Sequence, residues 1–134
     1  MPCSPWLTRP MGHGIQLSTV NLNAPDPSAL GAFYALLLGW EVKVDEPGWV
    51  VVSGGPGTVA LSFEEDVHFQ APTWPSAPGA PPIQMHLDVR VTDLPGAVRH
   101  AEECGATVHP HQPQADVRVL LDPAGHVFCL WLDE

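Results

Sequence analysis

The segment QMHLDVRV, residues 84 to 91, alternates polar and apolar side chains and carries an imidazole, His86, two positions from a carboxylate, Asp88. Positions two apart share a face of a strand, so Gln84, His86 and Asp88 form one polar row. An imidazole in such a row serves as a metal ligand, as a polar anchor for a bound molecule, or as a plain strand residue. A second chemically capable side chain, Cys129, lies in the apolar run VFCLWL. A thiolate beside an imidazole is a route to nucleophilic chemistry, whereas a free cysteine among apolar neighbours is commonly a small core residue. His109-Pro110-His111 offers a stray metal two imidazoles but reads first as a solvated loop pair, Arg118 suits a ligand carboxylate or, in the preferred reading, an Asp or Glu at the core edge, and Glu64-Glu65-Asp66 reads as a solvated strand end. No GxxxxGK[ST] or GxGxxG pattern follows a strand, which excludes a phosphate loop.

The elements that must position these side chains are legible from period and punctuation. IQLSTVNLN (15–23) alternates as a half-buried strand with Leu17 out of phase. Asp26-Pro27 supplies an N-cap and a proline at the first helical position. Leu30, Phe33, Tyr34 and Leu37 then follow at helical spacing, and Gly39 stands where a helix end favours a left-handed residue. WEVKV (40–44), WVVVS (49–53) and TVALSFEE (58–65) are strand candidates separated by glycine and proline turns. After a proline-rich connection over 66–82 the order recurs: strand IQMHLDVRV (83–91), Asp93 cap, helix LPGAVRHAEEC (94–104), Gly105 stop, and the strands ATVHP, ADVRVLL and HVFCLWLD, the last preceded by the turn Asp122-Pro123-Ala124-Gly125.

Two β-α-β-β-β units in tandem make an internal repeat. A slide of 67 lays Val20 on Leu87, Leu22 on Val89, Asp26 on Asp93 and Thr19 on His86; a slide of 68 lays Leu61 on Cys129 and Phe63 on Trp131. The expected class is α+β, with a leader over 1–14 and one domain over 15–134, divided into module one (15–65), the connection (66–82) and module two (83–133).

Five basic against fifteen acidic residues give a net charge of −10, which repels nucleic acid and anionic membranes. The longest apolar run, AFYALLLGW, is far shorter than the roughly 20 residues a membrane helix needs. Three cysteines, Cys3, Cys104 and Cys129, fit neither a disulfide framework nor a zinc knuckle. A reducing cytoplasm is the natural compartment.

The paired modules, the NxxxPDPxALxxFYxxLLGW segment (21–40), the FQ, PTWP and QMHLDV pieces between 69 and 89, and the LLDPAGHxFCLW ending (120–131) resemble the glyoxalase-like group of the vicinal oxygen chelate superfamily. That superfamily includes glyoxalase I, extradiol dioxygenases, fosfomycin-resistance enzymes and bleomycin-binding proteins. The resemblance implies that each module curls its sheet into an open half-barrel with the helix outside. It also implies four cavity positions that hold a metal in metal-using members, which map here to Thr19, Leu61, His86 and Cys129. Thr19 is a poor ligand and Leu61 is none, leaving two where a divalent ion needs at least three. The only carboxylate nearby in the matching phase is Asp88.

The expected function is therefore small-molecule binding with a degraded metal site, no bound metal and no cofactor, in the form of sequestration of an antibiotic or toxic metabolite. The alternative is a metal-dependent lyase, isomerase or dioxygenase using His86 and Cys129. The expected ligand-binding set is Thr19, Asn21, Trp49, Phe63, Trp74, Gln84, His86, Asp88, Cys129 and Trp131, since such pockets combine aromatic walls with a few placed polar groups. Family analogy adds a homodimer.

Overall fold

The computed structural model describes residues 12–133. The expected leader therefore lies mostly outside the described residues, and Gly12–Gly14 form a short 3-10 turn. Module one comprises β1 (Thr19–Ala24), α1 (Pro27–Leu38), β2 (Glu41–Glu46), β3 (Trp49–Ser53) and β4 (Ala60–Glu65). Module two comprises β5 (Leu87–Val91), α2 (Leu94–Cys104), β6 (Thr107–Val108), β7 (Val117–Leu121) and β8 (Val127–Leu132). Each module forms its own mixed sheet, in the orders β1-β4-β3-β2 and β5-β8-β7-β6. The β1–β4 and β5–β8 pairs are parallel and the rest antiparallel, so β1 and β5 are end strands.

Both helices begin at the caps the sequence marks. Asp26 and Asp93 each accept a hydrogen bond from the backbone N–H three residues on, Ala29 and Gly96, at 3.1 Å, satisfying donors that a helix start leaves free. At its other end α1 stops on Gly39, at φ 68° and ψ 32°, a left-handed conformation that glycine adopts without a Cβ penalty. Glycine is needed inside α1 as well. A Cβ at Gly31 would stand 2.5 Å from Val50 Cγ1, so the helix lies close against β3 here.

Each helix packs on one face of its sheet, and the two covered faces share a single core. It contains Leu30, Phe33 and Tyr34 of α1, Leu61 and Phe63 of β4, Leu120 of β7, and Phe128 and Leu130 of β8. Tyr34 stacks on Phe63 at 5.6 Å between ring centroids and meets Phe128 edge-on at 6.2 Å, so α1 joins both modules. Its hydroxyl donates to Asp122 Oδ2 at 2.7 Å across 88 residues of chain. The other oxygen of this fully buried carboxylate accepts the N–H groups of Ala124, Gly125 and His126, each at 3.0 Å. His126 Nδ1 stands 3.0 Å from Oδ2. The polar groups of this buried cluster are thus paired with one another, as burial requires.

The registers correct the alignment of the last strands. Asn21 pairs with Ser62, and Asp88 with Cys129, so one offset of 67 relates β1 to β5 and β4 to β8 alike. The equivalent of Cys129 is Ser62, not Leu61, and that of Trp131 is Glu64, not Phe63. Because side chains alternate, the one-residue slip reverses the face: Leu61 and Phe63 point into the helix-covered core, with Phe63 fully buried.

Candidate functional site

The uncovered face of sheet two is built from β5, β7 and β8. Asp88 and Cys129 are cross-strand partners, Val119 pairs with Cys129, and Val117 with Trp131. These five residues therefore form one patch on the side opposite Phe128 and Leu130. His86 lies one residue ahead of β5 rather than on it, yet keeps the phase of Asp88; its Nε2 is 3.2 Å from Asp88 Oδ1.

The proline-rich connection supplies the remaining wall. Thr73 bridges to Pro82, and its N–H donates to Pro81 O at 2.7 Å. That contact lays Trp74 and Ile83 over Val119, Val127 and Cys129 in a second, smaller apolar cluster. The Trp74 ring stands 5.9 Å from the His86 ring, and its Nε1 is buried with no hydrogen-bond partner among the described residues. The resulting cavity, about 630 Å³, is lined by Trp74, His86, Asp88, Val117, Val119, Cys129 and Trp131, with Pro113 and Gln114 at its edge. That volume lies within the 300–1,000 Å³ span of small-molecule sites, and its mostly apolar wall with a few convergent polar groups is their usual composition.

Among the described residues that line this wall, Asp88 is the only Asp or Glu, and there is no lysine or arginine. Burial, and secondarily the Asp88 carboxylate, push the Cys129 thiol up from its ordinary range, so at neutral pH it stays protonated. This disfavours Cys129 as a nucleophile, which must act as thiolate. Its sulfur, the Asp88 carboxylate and the His86 imidazole nevertheless lie within 4.8 Å of one another.

Five of the ten expected site residues thus meet in one cavity: Trp74, His86, Asp88, Cys129 and Trp131. The others lie elsewhere. Thr19 and Asn21 are on β1; Thr19 donates to Ser18 Oγ, while Asn21 Oδ1 accepts from Ser62 Oγ at 2.9 Å. Trp49 is exposed at the start of β3, Gln84 is exposed outside the cavity lining, and Phe63 is a core residue. Val117, Val119, Pro113 and Gln114 were not anticipated; the alternation in ADVRVLL carried the signal for the two valines. Among the described residues Arg118 pairs with no carboxylate. Its Nη1 donates to the carbonyls of Gln114, Ala115 and Val117 at 2.8–3.3 Å, fixing the cavity edge. His111 N–H donates to His109 Nδ1 at 2.9 Å, making that pair a turn.

The sequence profile described as "Glyoxalase-like domain" matches residues 19–131. The chain belongs to the glyoxalase-like domain family. Solved structures of low identity share this fold. One, a glyoxalase/bleomycin resistance protein/dioxygenase family enzyme from Burkholderia phytofirmans PsJN, is 22% identical, with 87% of this chain and 97% of that chain covered and a TM-score of 0.64. A bleomycin-binding protein complexed with bleomycin is 21% identical, with 90% and 99% covered and a TM-score of 0.58. TnmS3, an antibiotic-binding protein from Streptomyces sp. CB03234, is 21% identical, with 90% and 97% covered and a TM-score of 0.56. At these identities the likeness concerns the fold. Comparison with curated proteins finds no match. Among the described residues no helix is long and apolar enough to cross a membrane.

The four cavity positions implied by the sequence resemblance fall, with the corrected register, at Thr19, Ser62, His86 and Cys129. Thr19 and Ser62 bring neutral hydroxyls engaged with neighbours, so module one contributes no strong ligand. Module two contributes three donors, His86, Asp88 and Cys129. These fit a borderline divalent ion, which when bound would supply a Lewis acid at the cavity wall.

Proposed function

We propose that the protein binds a small organic molecule on the uncovered face of sheet two and that this binding sequesters an antibiotic or a toxic metabolite. The observation that carries this reading is the cavity itself: two tryptophans and two valines form apolar walls around the His86–Asp88 pair. Trp74 and Trp131 offer ring faces to a flat or apolar ligand, while imidazole and carboxylate offer donor and acceptor to its polar end. The bleomycin-binding and antibiotic-binding proteins of the same fold support the choice of ligand class. A ligand of about 25 heavy atoms at about −0.3 kcal/mol per atom reaches a Kd in the low micromolar range. At about 100 μM it then stabilises the native state by about 2 kcal/mol.

A thermal-shift screen of aromatic metabolites and antibiotics, followed by tryptophan fluorescence quenching, tests the reading. A hit is expected to raise Tm and quench in wild type, with both effects reduced in Trp131→Ala. Hits whose shifts are unchanged in that variant place binding elsewhere and sink the proposal.

The second reading is the metal-dependent lyase, isomerase or dioxygenase, favoured by the third donor, Asp88. We further propose a cytoplasmic homodimer. Free Cys104 and Cys129 support the reducing compartment. The dimer is supported by the end strands β1 and β5 and by exposed Ile15, Leu17 and Met85 beside them, because free strand edges invite pairing with a second chain. The net charge of −10 argues against nucleic acid and anionic membrane as partners.

A further inference from the structure

Three donors of different chemistry converge on one wall of the cavity, and strand register explains why. Asp88 and Cys129 are directly opposite across the β5–β8 pair, and His86 precedes Asp88 by two residues and so shares its face. Their imidazole nitrogen, carboxylate oxygen and thiol sulfur all lie within 4.8 Å of one another. No described arginine or lysine competes for the carboxylate. Arg90, next in phase on β5, turns to Asp133 at 3.4 Å, and Arg118 is held by backbone carbonyls.

We propose that His86, Asp88 and Cys129 form a three-ligand site for one zinc-class divalent ion, contained in module two. The site rests on the cavity reading above and departs from the superfamily arrangement, which draws ligands from both modules. Thiolate and imidazole select a borderline ion such as Zn²⁺ or Co²⁺ over Mg²⁺ or Ca²⁺. Tetrahedral coordination at ordinary bond lengths sets donor atoms about 3.3–3.6 Å apart. The half-exposed His86 and Asp88 side chains can close that remaining gap by rotation. On binding, the Cys129 S–H proton passes to solvent and sulfur donates as thiolate. Carboxylate and thiolate then neutralise the two charges of the ion. Three protein ligands leave one position for water or for a ligand atom, beside the Trp74 and Trp131 rings. The matching ligand is an aromatic molecule carrying one Lewis-basic oxygen, nitrogen or sulfur.

Cobalt titration of the reduced, chelator-treated full chain tests the site. Co²⁺ is expected to bind at one equivalent, with a thiolate-to-cobalt charge-transfer band that Zn²⁺ abolishes by displacement. Cys129→Ser is expected to lose the band. His86→Ala and Asp88→Asn, at exposed positions that leave the core intact, should each weaken binding by at least tenfold. Thr19→Val, Cys104→Ser and His109→Ala should change nothing. A band that survives in Cys129→Ser, or disappears in Cys104→Ser, overturns the assignment, as does the lack of stoichiometric binding at 100 μM Co²⁺, a concentration about tenfold above a ~10 μM Kd. Ligand-induced stabilisation that persists in EDTA, in a protein with no cobalt band, overturns the metal site while leaving the cavity reading standing. Loss of both overturns both.

Discussion

Replacing Tyr34 with phenylalanine removes a single oxygen from the most connected buried polar cluster in the described residues and opens almost no cavity. That oxygen donates to Asp122 Oδ2 at 2.7 Å, a bond to a charged group worth about 1.5–3 kcal/mol. Oδ2 retains His126 Nδ1 at 3.0 Å, and Oδ1 retains its three backbone donors. The acceptor is therefore not orphaned, and the expected cost is about 2 kcal/mol, near the lower end of that range. For a chain of this length that corresponds to a Tm lower by about 8 °C. The phenol also sets a pH dependence. Burial, then the Asp122 charge and hydrogen bond, raise the Tyr34 pKa well above 10.0. The unfolded chain therefore gives up this proton first: the stabilisation is complete below about pH 10 and is lost as pH climbs from there towards the folded value. Urea unfolding of both proteins at neutral and alkaline pH measures the two effects together. Because Tyr34 is the only tyrosine, phenolate absorbance follows its titration directly. A neutral-pH difference below about 0.5 kcal/mol, the scatter of ordinary surface substitutions, would refute the role given to this bond. So would phenolate forming near pH 10 in the still-folded chain.

Other substitutions separate core from cavity. Phe63→Ala is expected to cost about 3–5 kcal/mol in urea unfolding, whereas Trp131→Ala, at a position 37% exposed, should cost about 1 kcal/mol; the reverse order would restore the discarded register. Gly31→Ala should destabilise by about 1–3 kcal/mol despite the better helix propensity of alanine, because its Cβ meets Val50; a raised Tm would show that the helix moves freely off β3. In the native chain near neutral pH, iodoacetamide should label Cys104 before Cys129, since burial raises both thiols but Cys104 is only partly covered while Cys129 is buried. Faster modification of Cys129, mapped by mass spectrometry, would return it to candidacy as a nucleophile.

The helices were the most legible part of the fold, because Asp26-Pro27, Asp93 and the glycine stops act locally and their chemistry is visible in a few residues. The last strands were not. In β4 the alternation is clear, Leu61 and Phe63 against Ser62 and Glu64, but β8 is apolar in both phases: Phe128 and Leu130 meet the helices, while Cys129 and Trp131 line the cavity. Matching apolar to apolar therefore chose the wrong phase, and only the hydrogen-bonded register separates the two. The role of the connection was equally hidden. Docking of Trp74 and Ile83 onto sheet two is a tertiary contact, and a segment without period carries no sign of the surface it will cover. His86 and Asp88 emerged together because a two-residue spacing survives even where the strand itself begins one residue later.

Calorimetric titration of wild type, Trp131→Ala and Trp49→Ala with the most stabilising molecule from the screen tests the assignment of the cavity most directly. Trp131 lines the cavity, while Trp49 is a comparably exposed tryptophan on the other sheet. An affinity loss of tenfold or more, about 1.4 kcal/mol, is expected for Trp131→Ala, with Trp49→Ala binding as wild type does. Equal losses, or a loss confined to Trp49→Ala, would contradict binding on sheet two.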